Sequence, residues 1–182
     1  YKGTVYHGWQ RQNNAVSIQE KLENALSTLL THTVEVVGSS RTDAGVHAEQ
    51  QYAHFDVESG IKMPLQKLVY SLNAIIPRDI AVHRVFEVDA EAHSRFDALY
   101  RRYEYRIVAS KNPFEYEVAW LYKGELDIDK MNRAASLLLQ YKDFESFSKL
   151  HSDVKTHICH ISRAEWFWQG RQLIFTVKAN RF

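Results

Sequence analysis

The stretch Gly38-Ser39-Ser40-Arg41-Thr42-Asp43-Ala44-Gly45-Val46-His47-Ala48 gathers the side chains best suited to chemistry. It follows an apolar run at 34–37, so a rigid strand can present these polar groups from its end. Asp43 stands among Arg41, Thr42, Gly45 and His47, a carboxylate surrounded by donors and a cation. Such surroundings keep a carboxylate ionised and fit to act as a nucleophile or a base. Gly45 permits a tight turn and close approach of a substrate. The same residues also compose an ordinary polar turn, because Asp and Gly are common turn formers. Spacing alone leaves both readings open.

A second concentration lies further on. Arg95, Arg101, Arg102, Arg106 and Lys111 are interleaved with Phe96, Tyr100, Tyr103 and Tyr105. Cations mixed with flat rings suit phosphate neutralisation and base stacking, and equally a solvated strand face. Net charge is only +1, but its distribution is uneven. Residues 1–94 hold 8 Lys/Arg against 11 Asp/Glu, and residues 95–182 hold 15 against 11, giving −3 and +4. A third group, His151, Asp153, His157, Cys159 and His160, has metal-ligand chemistry but no paired Cys-x-x-Cys or His-Glu-x-x-His spacing. No metal and no cofactor are expected.

The elements that must carry these groups are read from periodicity. Residues 17–30 place Ile18, Leu22, Ala25, Leu26, Leu29 and Leu30 on one helical face, with Ser17 and Glu20 as a capping box. Residues 64–75 form a second helix with Pro64 near its first turn and Leu65, Leu68, Val69 and Leu72 inward. Residues 34–37, 51–57 and 80–88 read as strands. In the second half, 100–109 is a strand on which Tyr103 shares a face with Arg101, Tyr105 and Ile107. Ile128, Met131, Ala134, Ala135, Leu138 and Leu139 line one face of a regular helix, and 158–168 and 172–179 form a hairpin around Gln169-Gly170-Arg171.

The order α-β-β-α-β followed by β-α-β-β suggests two β-α-β-β-α-β units, 1–97 and 98–182, each lacking its outer pieces. The expected fold class is α+β: two fused ferredoxin-like units sharing an antiparallel sheet with helices on one face, truncated at both ends. A start at Tyr1 without Met, and an end at Phe182 in or beside a strand, fit a piece of a longer protein. No stretch reaches the roughly 20 apolar residues that cross a bilayer. A lone Cys159 rules out an intrachain disulfide and suits a reducing compartment, so a soluble cytoplasmic protein is expected.

Ser40-Arg41-Thr42-Asp43-Ala44-Gly45-Val46-His47-Ala48 closely resembles the active-site motif of the TruA-type tRNA pseudouridine synthases. Gly3-Thr4, Gly8-Trp9-Gln10-Arg11-Gln12, Ser17-Ile18-Gln19-Glu20, His93-Ser94-Arg95-Phe96, Arg102-Tyr103-Glu104-Tyr105 and Lys178-Ala179-Asn180-Arg181-Phe182 follow the family pattern in order. Ser40 departs from it, since many relatives carry Gly there. The family also continues past Phe182 into a Met-Val-Arg segment whose arginine pairs with the catalytic aspartate. The resemblance implies an isomerase that turns uridine into pseudouridine at positions 38 to 40 of the tRNA anticodon arm, acting as a homodimer. It makes Asp43 the catalytic carboxylate and Tyr103 the ring that stacks on uracil. Arg41 becomes an RNA contact that fills the space left by a flipped nucleotide, Arg95 and Arg102 further RNA contacts, and His47 a residue that positions the loop or contacts RNA. Two other classes share parts of the pattern. A noncatalytic RNA-binding module would need Tyr103 and the basic strand but not Asp43. A carboxylate-dependent hydrolase of nucleosides or glycosides would need a second acid, and none stands out near Asp43.

Overall fold

The computed structural model describes residues 1–58, 60–148 and 156–182. The chain divides into two compact units, Tyr1–Asp97 and Ala98–Phe182. Both mix helix with strand, which makes the protein α+β.

In the first unit, helix α1 (Ile18–Leu30) starts where Ser17 is extended and its Oγ accepts the Glu20 N–H at 3.2 Å. Helix α2 (Leu65–Ile75) starts just after Pro64 and stops before Pro77, which forces Ile76 into an extended conformation. Ile18, Ala25 and Leu26 of α1 meet Leu68 and Leu72 of α2. Tyr6, Trp9, Val34, Val36, Ile76 and Ile80 complete this core. Each fully buried aliphatic side chain here contributes about 1.5–3 kcal/mol relative to exposure.

Strand pairing in this unit is much shorter than alternation predicts. Strands β1 (Val37–Gly38) and β2 (Ala53–His54) pair antiparallel over two residues each. Residues 80–88 form no strand. Instead, Asn73 near the end of α2 donates from Nδ2 to the Val82 carbonyl at 2.7 Å and accepts the Val82 N–H at 2.8 Å. A side-chain amide thus takes the place of a neighbouring peptide. The alternation correctly marks an extended segment, with Ile80 buried and Val82 and Val85 packed on the core. It carries no information about whether a ladder partner lies alongside.

The second unit is built on a four-stranded sheet in the order β4-β3-β6-β5. Its strands are β3 (Arg101–Val108), β4 (Trp120–Leu121), β5 (Ile161–Gln169) and β6 (Gln172–Ala179). β6 pairs antiparallel with β3 and with β5, whereas the short β4 runs parallel to β3. The described strands therefore fall into two sheets with one parallel pair, where one shared antiparallel sheet is the expectation. Gly170 turns the β5–β6 hairpin at φ +61°. Helix α3 (Ile128–Leu137) is capped by Asp127, whose Oδ1 accepts the Lys130 N–H at 2.9 Å. These bonds to the ionised carboxylate hold the Asp127 pKa below its ordinary value. Of the apolar stripe expected on α3 only Ala135 is buried, while Ala134 and Leu139 are exposed. Asn132 anchors the helix by donating to the Trp166 carbonyl at 3.0 Å and accepting the Trp166 N–H at 2.8 Å, which closes part of the β5 edge.

Candidate active site

Loop 39–48, which leaves β1, is laid against the opening segment 1–9. Tyr1 and Ala48 exchange two hydrogen bonds, Tyr1 N to the Ala48 carbonyl at 2.7 Å and Ala48 N–H to the Tyr1 carbonyl at 3.0 Å. The Gly45 N–H donates to the Tyr6 carbonyl at 3.2 Å, and the Trp9 N–H to the Thr42 carbonyl at 3.0 Å. The Tyr1 and Thr42 hydroxyls are 2.8 Å apart. Two glycines make this approach feasible. A Cβ on Gly3 would stand 2.0 Å from the Val46 carbonyl oxygen, and one on Gly8 would stand 2.2 Å from that of Thr42. Gly8 is also at φ +84°, a region L side chains disfavour.

Within the loop, Asp43 opens a four-residue turn closed by the Val46 N–H on the Asp43 carbonyl at 3.2 Å. Gly45 occupies the third position at φ +79°, and Ala44 before it keeps a negative φ, the arrangement of a type II turn. The side chains of Asp43 and Arg41 are exposed, and His47 is half-buried. The His47 Nδ1 accepts the Gly3 N–H at 3.0 Å. Preceding the turn, the Ser40 carbonyl accepts from Gln51 Nε2 at 2.7 Å, and the Ser39 N–H donates to the Tyr52 carbonyl at 2.8 Å. Asp43 thus presents a solvent-accessible carboxylate on a backbone pinned at both ends.

Segment 1–9 is thus the template on which the loop is laid, and two polar groups of the same unit escape a sequence reading. Tyr6 is buried, and its hydroxyl donates to Asp79 Oδ1 at 2.6 Å. Burial, followed by the bond to Asp79 and its negative charge, pushes the Tyr6 pKa well above the ordinary phenol value. Glu23 is only 5% exposed. Its Oε1 accepts the Val36 N–H at 3.1 Å and Gln19 Nε2 at 2.9 Å, and its Oε2 accepts Arg11 Nη1 at 3.0 Å. This carboxylate joins the segment after Trp9 to α1 and to the chain entering β1. Neither is marked in the sequence, since Tyr6 is followed by His7 and Glu23 by the polar Asn24.

Arg95 is exposed in a turn at 93–97 that is tied to the strands under the loop. Ser94 Oγ donates to the Val37 carbonyl at 2.8 Å and lies 2.9 Å from His54 Nδ1. The Arg95 guanidinium lies 5.9 Å from the centroid of the Phe96 ring. Asp43, Arg41, His47 and Arg95 therefore belong to one scaffold. Tyr103 and Arg102 lie on β3 of the second unit, on opposite faces. Tyr103 is half-buried with its ring edge-on to Phe182 at 5.0 Å. Arg102 is exposed and shares its face with Glu104, at 3.7 Å, and with Arg106, which reaches the same carboxylate at 2.8 Å. The basic run is thus partly neutralised from within. Of the residues considered for a metal, His151 and Asp153 lie outside the described residues. Cys159 is buried with Sγ donating to the Arg181 carbonyl at 2.9 Å, and burial raises its pKa. Among the described residues, His, Cys, Asp and Glu form no group of three able to hold a metal ion.

An α+β frame thus presents the exposed side chains of Arg41 and Asp43 from one anchored loop. The family model described as tRNA pseudouridine synthase matches residues 1–97, the whole first unit. Across its entire length the chain is 50% identical to tRNA pseudouridine synthase A of Bacteroides thetaiotaomicron, covering 68% of that protein. It is 49% identical to the Bacteroides fragilis protein of the same name, covering 72% of it, and 36% identical to that of Chlorobaculum tepidum, covering 73%. The chain belongs to the tRNA pseudouridine synthase family.

Proposed function

We propose that this protein isomerises uridine to pseudouridine at positions 38 to 40 in the anticodon arm of tRNA, with Asp43 as its nucleophile. The N1–C1′ glycosidic bond breaks, the uracil turns, and a C5–C1′ bond forms. The hydrogen on C5 leaves as a proton and N1 acquires one, so atoms and electrons balance without a redox partner. The supporting observation is the carboxylate of Asp43, exposed at the head of a turn that is fastened to segment 1–9 on both sides. Preorganised placement of a reacting group is worth several kcal/mol of barrier.

The target nucleotide must first leave its stack, which costs a few kcal/mol. In this reading Tyr103 supplies a ring for the extruded uracil, and such stacking returns about 1–3 kcal/mol per base. Arg41 enters the space left in the RNA, while Arg95 and Arg102 meet phosphates. Neighbouring target positions call for recognition of RNA shape through its backbone rather than of base sequence. The α-β order of each unit supports two incomplete ferredoxin-like units, and the working enzyme is proposed to be a cytoplasmic homodimer that needs no cofactor. No helix among the described residues is long and apolar enough to cross a membrane.

The test uses tRNA carrying tritium at uridine C5. The protein should release tritium to water, and Asp43→Asn should release none while keeping its melting temperature. Release that persists in Asp43→Asn removes Asp43 from the chemistry. Binding of tRNA without release by the unmodified protein would favour an RNA-binding module, and free uracil would indicate a hydrolase.

A further inference from the structure

We infer that His47 is a positioning residue for Asp43, holding segment 1–9 in register through its Nδ1, and is not an RNA contact; the inference rests on Asp43 being the nucleophile. Gly3 is buried where its α-carbon faces the Val46 carbonyl so closely that no side chain would fit. A peptide N–H in that position has no ready access to water, and leaving it unpaired would cost about 1–3 kcal/mol. The acceptor it meets is His47 Nδ1, at 3.0 Å from the Gly3 nitrogen. A ring nitrogen that accepts an N–H carries no proton, so the neutral imidazole keeps its proton on Nε2.

The geometry gives this bond leverage over Asp43. It lies between the Tyr1–Ala48 pair and the bond from Gly45 to Tyr6, so its loss frees the middle of the contact between template and turn. A displacement of the reacting group by about 1 Å can lower a rate about 100-fold.

Asparagine and glutamine separate the two ring positions. The amide end of Asn reaches where Nδ1 stands, and that of Gln reaches where Nε2 stands. With 5-tritiated tRNA, His47→Gln should lower kcat about 100-fold, while KM and the tRNA Kd stay within about twofold. His47→Asn should recover kcat to within about threefold of the unmodified protein. In ¹⁵N spectra of the folded protein, the Gly3 amide should be protected from exchange in the unmodified protein and in His47→Asn, and exposed in His47→Gln. Raised KM and Kd with kcat preserved would overturn the inference in favour of an RNA contact. Equal loss of kcat and of Gly3 protection in both variants would overturn the Nδ1 assignment. Should Asp43→Asn remain active, the nucleophile reading fails by itself, and Gly3 protection still reports whether His47 holds the segment.

Discussion

The two units hold their chains in different ways. The second relies on repetition, with two eight-residue antiparallel ladders around β6 and a hairpin closed by one glycine. Among its described residues the first has a two-residue ladder and one isolated bridge, between Gln12 and Ala15. It fastens its segments with isolated contacts between residues far apart in the chain, such as the two bonds exchanged by Tyr1 and Ala48 and the single bonds of Gly3 to His47 and Tyr6 to Asp79. A ladder spreads its energy over many equivalent bonds, so one substitution shifts it little. A set of unlike contacts fixes one geometry, and each member is separately exposed to damage. A side chain carried on a loop is held in place only as well as the contacts that support that loop.

Glycine substitution makes that contrast measurable. Gly8→Ala adds a Cβ 2.2 Å from the Thr42 carbonyl at a residue with φ +84°, and neither backbone can yield without moving Asp43. The expected outcome is a loss of more than about 2 kcal/mol of stability, read by chemical denaturation, and about 100-fold in the rate of tritium release. If Gly8→Ala stays fully active, the template account of the first unit is wrong.

Glu23→Leu removes the acceptor of a buried N–H at Val36 from beneath the same template. Stability should fall by about 1–3 kcal/mol, with a smaller loss of activity than Gly8→Ala. Unchanged stability would show that the segment entering β1 is held by packing alone. Gly170→Ala supplies the counterpart in the second unit. Its φ is +61°, but no atom lies within 4 Å of the added Cβ. Denaturation should therefore show only the left-handed penalty of about 1–2 kcal/mol, with kcat unaltered. A large loss of activity there would mean that the hairpin tip belongs to the site.

Tyr6→Phe should have the smallest effect, about 0.5–1.5 kcal/mol at neutral pH from the lost bond to Asp79. Its pH dependence is more informative. The folded phenol has a raised pKa, while the unfolded one ionises near the ordinary value of 10.0. Below that pH both states hold the proton and the contribution of the hydroxyl is fully present. Above it the unfolded chain ionises first, so stability declines as pH rises. Melting curves between about pH 8 and 11 should show that alkaline decline in the unmodified protein and less of it in Tyr6→Phe.

Much of this arrangement was legible in advance, but unevenly. The capping of α1 by Ser17 and the start of α2 after Pro64 involve residues within one turn of each other. Segment 38–48 stood out through its resemblance to a family motif, since its residue types alone also fit an ordinary polar turn. The strands at 34–37 and 51–57 were overextended and that at 80–88 was absent, because alternation reports burial on one side and not a pairing partner. The apolar stripe of α3 likewise said nothing about how much of it the described neighbours would cover. For His47 the sequence left loop positioning and RNA contact both open, and the bond from the Gly3 N–H to its Nδ1 favours the first.

What the amino-acid order determined by itself is the class of the protein, the positions of its helices and the contiguous motif that contains Asp43. Those properties are local or compositional, carried by periodicity, capping and a contiguous motif. Tertiary structure alone decided why Gly3 and Gly8 must lack side chains, why Tyr6 and Glu23 are buried, and how the turn bearing Asp43 is aimed. Each of those depends on two backbones meeting at van der Waals distance after the chain has closed a long loop, and nothing in the spacing of residues along the chain encodes that distance.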